Sequence, residues 1–147
     1  MRAQFEVGWE DVDYARVLYY ARYYFFVDRA FSAWMHAHGL YYRKMHEEWS
    51  VATPIVTSHC RYRGPLRLED RLEVCMELDN LTLRGYRINF QLIRLPEDAL
   101  VAEGYTEHRF VNPAERRPCE PPAPLYAALE AMVAESRGNL ALPEPRP

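Results

Sequence analysis

Cysteine is scarce in this chain of 147 residues, and its scarcity excludes two kinds of protein. The three cysteines stand far apart, at Cys60, Cys75 and Cys119. Disulfide-stapled domains and structural zinc sites both need cysteines in closely spaced sets. The five histidines do not have ligand spacing either, since His36 and His38 would point to different faces of a helix. We therefore expect neither a disulfide framework nor a metal site.

Long apolar runs and an excess of positive charge are also missing. No apolar run approaches the ~20 residues that a membrane-spanning helix needs. The formal net charge of −3 removes the general attraction to phosphates on which nucleic-acid binders depend. The N-terminal segment carries acidic residues early and lacks the apolar stretch of a signal peptide. We expect a cytoplasmic protein with no membrane span and no nucleic-acid partner.

The most recognisable short motifs of enzymes do not occur in the chain. There is no GxSxG elbow, no phosphate-binding P-loop, no GxGxxG and no HExxH. Their absence argues against the commonest serine hydrolases, nucleotide-binding proteins and zinc peptidases. Any catalytic site has to be sought in less familiar patterns.

What the chain does contain is the composition of one ordinary globular domain, with 49% apolar and 27% charged residues. Apolar residues recur at helical spacing from Val17 to His38, and Gly39 is expected to end this helix. Alternating or continuous apolar patterns predict strands over 3–9, 53–62, 72–78, 86–92 and 100–111. A second amphipathic helix is predicted over 125–135.

This order of elements predicts an α+β fold in which one long helix packs on an antiparallel sheet. We assign residues 1–136 to a single domain, with its core at 3–112 and a proline-rich linker at 113–124. Residues 137–147 are expected to form a flexible tail. The edge strands and an exposed apolar face lead us to expect an oligomer.

Two acidic residues, Asp11 and Asp13, precede the long helix. The unpaired N–H groups of a helix N-terminus stabilise negative charge and can hold an oxyanion. Aspartate before a helix is also common simply as a cap or turn residue. The residues alone thus leave open a structural role or an oxyanion site beside a carboxylate.

The stretch DVDYARVLYYARY at 11–23 resembles a motif of the hot-dog-fold acyl-CoA thioesterases of the 4-hydroxybenzoyl-CoA thioesterase family. That motif runs roughly D-x-D-x-x-G-V-V-Y-Y/H-x-x-Y. A second similarity lies in YRGP at 62–65 followed by DRLEV at 70–74, and a weaker third one at 102–111. In order and spacing the resemblance covers residues 3–112.

This resemblance implies a hot-dog fold, an antiparallel sheet wrapped around one long central helix, in a homodimer or homotetramer. It implies hydrolysis of the thioester between an acyl group and coenzyme A, which is part of the substrate, with no separate cofactor. Asp13 matches the catalytic carboxylate, as nucleophile or as general base for water. The backbone N–H of Tyr20 matches the donor that polarises the thioester carbonyl.

The substrate-binding residues that we expect are of two kinds. The tyrosines would either contact an aromatic or flat acyl group or serve only for packing; they are Tyr14, Tyr19 and Tyr23. The arginines would bind the phosphates of coenzyme A or belong to solvated loops; they are Arg16, Arg61, Arg63 and Arg67. Arg16 stands where the family has glycine, so we expect its backbone not to adopt a positive φ.

Three alternatives stay open beside the acyl-CoA thioesterase. Asp28 on the long helix, or Asp11, would be the catalytic carboxylate if Asp13 is not, although an ion pair is the more ordinary role of Asp28. A carrier-protein thioesterase or a dehydratase would use the same fold, but a dehydratase should pair a histidine with a helix carboxylate. Arg16 in place of glycine also leaves room for a non-catalytic acyl-CoA-binding protein.

Overall fold

A five-stranded antiparallel sheet forms the centre of the computed structural model, which describes residues 1–140. The strands are β1 (Arg2–Glu6), β2 (Ile55–Tyr62), β3 (Arg71–Thr82), β4 (Gly85–Leu95) and β5 (Ala99–Arg109). Their order in the sheet is β1-β3-β4-β5-β2. β1 and β2 are therefore the two edges, and the three long strands lie between them.

Alternation along the central strands decides which face of the sheet is buried. In β3, Leu72, Val74, Met76 and Leu78 are 0–1% exposed, whereas Glu73 and Glu77 point to the other face. β4 continues the pattern with Ile88, Phe90 and Leu92. One face of the sheet is thus apolar and must be covered by another element.

The covering element is α1 (Arg22–Ala37). Its buried side chains are those of the predicted apolar stripe: Tyr23, Phe26, Val27, Ala30, Phe31, Trp34 and Met35. Gly39 follows it with a φ of +71°, as a helix stop requires. The expected α+β class, with one long helix on an antiparallel sheet, is confirmed.

The predicted start of this helix, at Val17, is wrong. Residues 17–21 lie in an extended and turning segment in which Leu18 forms a β-bridge with Val12. The backbone N–H of Leu18 donates to the carbonyl of Leu66 at 2.7 Å. The segment is therefore tied to the loop before β3, and these tertiary bonds override its helical spacing. The first strand likewise ends at Glu6 and is followed by a 3₁₀ turn at Trp9–Asp11.

Three short elements were missed. α2 (Tyr42–Glu47) occupies a stretch that reads as polar because only Met45 is buried in it. β6 (Val111–Asn112), at the end of the expected core, pairs with β7 (Arg117–Pro118), which lies in the expected linker. Strands of two residues carry no readable period.

The second predicted helix is α3 (Ala123–Ser136), and it belongs to the core. Its buried side chains Leu125, Leu129 and Met132 are all 0% exposed. The hydroxyl of Ser136 accepts a hydrogen bond from the backbone N–H of Leu78 at 3.1 Å. The expected tail, 137–147, lies in its last seven residues outside the described part of the chain.

β2 differs from the other strands because almost all of it is exposed. Ile55 and Val56 are 52% and 53% exposed, and beyond β2 no further strand pairs within the described chain. Among residues 1–140, no helix is long and apolar enough to cross a membrane.

Candidate active site

The loop before α1 holds Asp13 in a tight, exposed turn. The backbone N–H of Asp13 donates to the carbonyl of Val17 at 3.1 Å, and that of Arg16 donates to the carbonyl of Asp13 at 2.9 Å. Together with the bridge between Val12 and Leu18, these bonds close a small hairpin. Residues 13–16 form its exposed tip.

Arg16 adopts a φ of +62° in this turn. The expectation that an arginine would not take the backbone conformation of the family's glycine was therefore wrong. A left-handed residue other than glycine costs about 1–2 kcal/mol, and the bonds that close the hairpin hold Arg16 there. The shape of the loop is kept although its glycine is absent.

The carboxylate of Asp13 is oriented by a hydrogen bond to only one of its two oxygens. Its Oδ1 accepts a hydrogen bond from the backbone N–H of Ala15 at 2.8 Å, which makes an Asx turn. Its Oδ2 has no hydrogen-bond partner within residues 1–140. One oxygen therefore orients the side chain, and the other is free to act.

Asp11 has a structural role. It is 5% exposed; its Oδ2 accepts from the backbone N–H of Gly8 at 2.8 Å, and its Oδ1 accepts from Arg22 Nε at 2.8 Å. Its own carbonyl accepts the N–H of Tyr19. Both oxygens are used to anchor the loop to the first residue of α1, so Asp11 is a poor substitute for Asp13.

Tyr20 lies two residues before the first residue of α1. Its carbonyl accepts a hydrogen bond from the hydroxyl of Tyr62 at 3.2 Å. Its backbone N–H has no acceptor in the described chain. The peptide is thus held in place, with its N–H open at the approach to a helix N-terminus.

The three tyrosines separate into two groups. Tyr23 is 4% exposed, its ring packs edge-on against Tyr62 at 4.9 Å, and its hydroxyl donates to the carbonyl of Gly64. Tyr14 is fully exposed and Tyr19 is 41% exposed. Tyr23 is therefore a packing residue, while Tyr14 and Tyr19 remain accessible.

The arginines separate in the same way. Arg63 Nε bonds to the carboxylate of Glu103 at 2.7 Å in a half-buried ion pair. The side chains of Arg16, Arg61 and Arg67 are exposed and form no ion pair with any described residue. The three exposed guanidiniums are available to an anionic ligand, and that of Arg63 is engaged.

A cavity of about 380 Å³ lies between α1 and the sheet and opens beside β2. Most of its wall is aromatic or aliphatic, and a few polar groups interrupt it. The lining residues are Tyr24, Phe25, Val27, Asp28, Phe31, Ile55, Ser58, Ile88, Thr106 and His108. Asp28 is the carboxylate in this wall, and Asp13 is not part of it.

His108 is a site residue that sequence reasoning missed. It is 6% exposed, and its Nε2 lies 3.0 Å from the hydroxyl of Thr106. Burial lowers the pKa of its imidazole, against the raising effects of the Thr53 carbonyl and of Asp28. The available signal was a threonine and a histidine at alternate positions of β5, on the same face of the strand as the buried Ala102.

No group of three or more histidine, cysteine, aspartate or glutamate side chains within residues 1–140 is arranged to hold a metal ion. The chemistry open to the site rests on the carboxylates, the Tyr20 N–H and the polar groups of the cavity.

Comparison with known proteins supplies the family. A 1,4-dihydroxy-2-naphthoyl-CoA hydrolase of Synechococcus sp. (strain CC9605) is 34% identical over 85 residues, which span 58% of this chain and 56% of that protein. A hydrolase of the same name from Picosynechococcus sp. is 28% identical over 118 residues, 76% of this chain and 80% of its own.

Among solved structures, a 1,4-dihydroxy-2-naphthoyl-CoA thioesterase from Synechocystis superposes with a TM-score of 0.81. It is 20% identical, and the match covers 87% of this chain and 93% of the other. At this identity the likeness establishes the shared fold, so the expected hot-dog arrangement is confirmed. The sequence model of one family matches residues 7–129, from the end of β1 into α3. This match includes the Asp13 hairpin and the cavity, and the chain belongs to the Thioesterase-like superfamily.

Proposed function

We propose that this protein hydrolyses acyl-CoA thioesters, with Asp13 as the catalytic carboxylate. The observation that carries the proposal is the Asp13 hairpin. One carboxylate oxygen is bound to the N–H of Ala15 at 2.8 Å, and the other is free among the described residues. Relatives named as hydrolases of a naphthoyl-CoA support a CoA thioester as the substrate.

The chemistry needs a donor for the negative charge that develops on the thioester oxygen. The open N–H of Tyr20 is such a donor, and one donor of this kind contributes about 10²–10³ in rate. Asp13 would attack the carbonyl carbon and form an anhydride that water then opens, or it would take a proton from the attacking water. In both routes coenzyme A leaves as the thiol and the acyl group leaves as the acid.

The cavity is the proposed site for the acyl group. Tyr24 and Phe25, in the first turn of α1, belong to its wall, and Tyr20 lies two residues before that helix begins. We place the thioester at the N–H of Tyr20, with its acyl group against Tyr24 and Phe25. The aromatic wall suits a flat group better than a long flexible chain.

We further propose that Arg16, Arg61 and Arg67 attract the phosphates of coenzyme A, since their guanidiniums are exposed and unpaired among the described residues. Arg63 is less suited because Glu103 already neutralises it. A non-catalytic binding protein was considered because Arg16 was expected not to adopt the backbone conformation of the family's glycine. Arg16 does adopt a positive φ, so this argument against catalysis no longer applies.

The test is thiol release from a panel of aromatic, short-chain and long-chain acyl-CoAs, with an acylated carrier protein included. Asp13→Asn keeps an oxygen for the N–H of Ala15 but loses the charge, and kcat is expected to fall at least about 100-fold. Asp79→Asn, at an exposed site on β3, is the matched control and should retain wild-type turnover.

Two results would contradict the proposal. Full activity in Asp13→Asn would move the catalytic role to another carboxylate, of which Asp28 in the cavity wall is the first to examine. A wild-type protein without turnover on any acyl-CoA would remove the assigned activity, and turnover on the carrier protein alone would replace it with the related alternative.

A further inference from the structure

The chain enters α1 through a turn that no side chain caps. The cap residue is Ala21, whose backbone is helical (φ −71°, ψ −23°), and no side chain bonds to this end of the helix. The first helical turn contains no acidic residue. A serine, threonine, aspartate or asparagine at the cap would have satisfied one of the free N–H groups there. Other contacts must therefore hold the turn in shape.

Backbone hydrogen bonds fix the first half of the turn. The N–H of Tyr19 donates to the carbonyl of Asp11 at 2.9 Å, and the carbonyl of Tyr19 accepts from the N–H of Arg22 at 2.8 Å. The Tyr19 carbonyl shares a peptide plane with the N–H of Tyr20. Because the turn runs into the helical Ala21, this N–H points the same way as the free N–H groups of the helix end.

The second half of the turn depends on a side chain from the sheet. In a helix, the first carbonyl that accepts an internal hydrogen bond is that of the cap residue, which here is Ala21. The hydrogen bonds of α1 therefore do not hold the carbonyl of Tyr20. The hydroxyl of Tyr62, the last residue of β2, holds it instead, and donates to it at 3.2 Å.

This bond controls which way the next peptide plane faces. Without it, the plane between Tyr20 and Ala21 can rotate, as the central peptide does between type I and type II turns. The rotation brings the carbonyl oxygen of Tyr20 towards the side on which its N–H points. An oxygen there repels the negative charge that the N–H has to stabilise. Ala21 resists a complete flip, which needs a positive φ, so the donor would be weakened rather than lost.

Tyr62 is suited to this task because its ring and its proton are both fixed. The ring packs edge-on against Tyr23, with centroids 4.9 Å apart. Tyr23 is itself buried, and its hydroxyl donates to the carbonyl of Gly64. Burial raises the pKa of Tyr62 to about 12, so the hydroxyl keeps its proton near neutral pH and donates it to a carbonyl that only accepts.

We propose that Tyr62 is a positioning residue for thioester hydrolysis: its hydroxyl holds the peptide after Tyr20 so that the N–H of Tyr20 faces the thioester oxygen unopposed. The inference rests on the proposed function for the role of this N–H, and not on the identity of the catalytic carboxylate. Tyr62 needs no contact with the substrate to act in this way. Its hydroxyl should therefore affect the rate and the polarisation of the carbonyl, and not the affinity.

The first test separates kcat from KM. Tyr62→Phe removes the hydroxyl and keeps the ring against Tyr23. With benzoyl-CoA as the substrate, kcat should fall about tenfold, a part of the 10²–10³ that a whole donor contributes, and KM should change by less than about twofold. Tyr126→Phe removes a hydroxyl from α3 and is the matched control, with wild-type kcat. An unchanged kcat in Tyr62→Phe, or a raised KM alone, would overturn the proposal.

The second test measures the polarised carbonyl without any hydrolysis. The probe is a benzoyl-CoA analogue in which a methylene group replaces the sulfur and the carbonyl carries an isotopic label. On binding to the wild-type protein, its infrared carbonyl band should shift to lower frequency, and Tyr62→Phe should reduce this shift to about half. Tyr126→Phe should show the full shift. Equal shifts in the wild-type protein and in Tyr62→Phe would contradict the proposal.

The two assays keep this inference apart from the proposed function. If the wild-type protein hydrolyses no acyl-CoA but shows a band shift that depends on Tyr62, the proposed function fails and the orientation of the donor by Tyr62 stands. If Asp13→Asn abolishes hydrolysis while Tyr62→Phe retains full kcat and the full band shift, the role of Tyr62 is excluded and the proposed function stands.

Discussion

At the scale of single residues, Arg16 shows that a backbone conformation can persist without the residue that suits it. A left-handed arginine costs about 1–2 kcal/mol of folding free energy. Glycine avoids this cost, but it lowers stability by about 0.5–1 kcal/mol because it gives the unfolded chain more conformational freedom. Arg16→Gly should therefore raise the free energy of unfolding by up to about 1 kcal/mol, measured by urea denaturation. Arg61→Gly, in the extended β2, should lower it, and equal losses at both positions would contradict the account.

His108 makes stability depend on pH near neutrality. Burial lowers the pKa of its imidazole, although the Thr53 carbonyl and Asp28 oppose this, and the ring also faces Tyr86 on β4. As pH falls below the ordinary histidine pKa of about 6.5, His108 becomes protonated in the unfolded chain but stays neutral in the folded chain. Stability is then lost from about pH 7 downward until the lowered pKa is reached.

The measurement is the free energy of unfolding at several pH values in wild type and in His108→Phe. The variant should be flatter between about pH 7 and pH 5, whatever its absolute stability. Glu107 acts in a different window, because its hydrogen bond with Arg87 lowers its pKa; its contribution is lost only at more acidic pH. An unchanged slope in the variant would count against a neutral, buried His108.

At the scale of elements, α3 stabilises the core although it follows a proline-rich segment. Leu129 is 0% exposed, so Leu129→Ala should cost about 2–5 kcal/mol of unfolding free energy. Glu130→Ala, at the exposed neighbouring position, should change it by less than about 0.5 kcal/mol. Denaturant curves of the two variants decide the point, and similar values would mean that α3 is not part of the cooperative unit.

The predictable part of the fold was the part with a long, clean period. Alternation in β3 and β4 and the stripe of α1 were legible in the sequence because each is governed by its own buried face. The start of α1 could not be predicted, because the backbone N–H of Leu18 donates to the carbonyl of Leu66. Spacing along the chain does not reveal such a distant partner. Nor could α2, which buries Met45 alone among its six residues.

Part of the candidate site could likewise be predicted from the sequence, and part of it could not. Asp13 and the Tyr20 N–H were found through the family motif, and their roles stay predictions. Thr106 and His108 were missed because their meaning depends on register. Only the pairing of Ile55 and Tyr86 with His108 across three strands brings the histidine to the cavity wall. A sequence shows alternation on one strand but not what faces it from the next.

At the scale of the whole molecule, β2 leaves an edge that a second copy of the chain would cover. Its apolar side chains Ile55 and Val56 are about half exposed, and unpaired strand edges favour association. We therefore expect a mass of at least about twice 17.4 kDa by light scattering at micromolar concentration. Dimer and tetramer are both compatible with this expectation.

The edge can be tested by charge. Val56→Lys places an ammonium group on the exposed strand and should shift the protein towards the monomer. Glu69→Lys, in the loop before β3, introduces the same group elsewhere and should leave the mass unchanged. A wild-type protein that runs as a monomer would contradict the expectation, and an unaffected Val56→Lys oligomer would place the interface on another surface.

The ion pair between Asp11 and Arg22 also limits which substitutions these two positions can accept during evolution. The aspartate is almost fully buried, and the arginine side chain is about one quarter exposed. Replacing either residue alone leaves a charge without its partner beside the hairpin that carries Asp13. Over evolutionary time the two positions should therefore change together, as a charged pair exchanged for a neutral one. Among homologues, the statistical covariation of 11 with 22 should exceed that of 13 with any position, since Asp13 is held by backbone contacts that any residue type supplies.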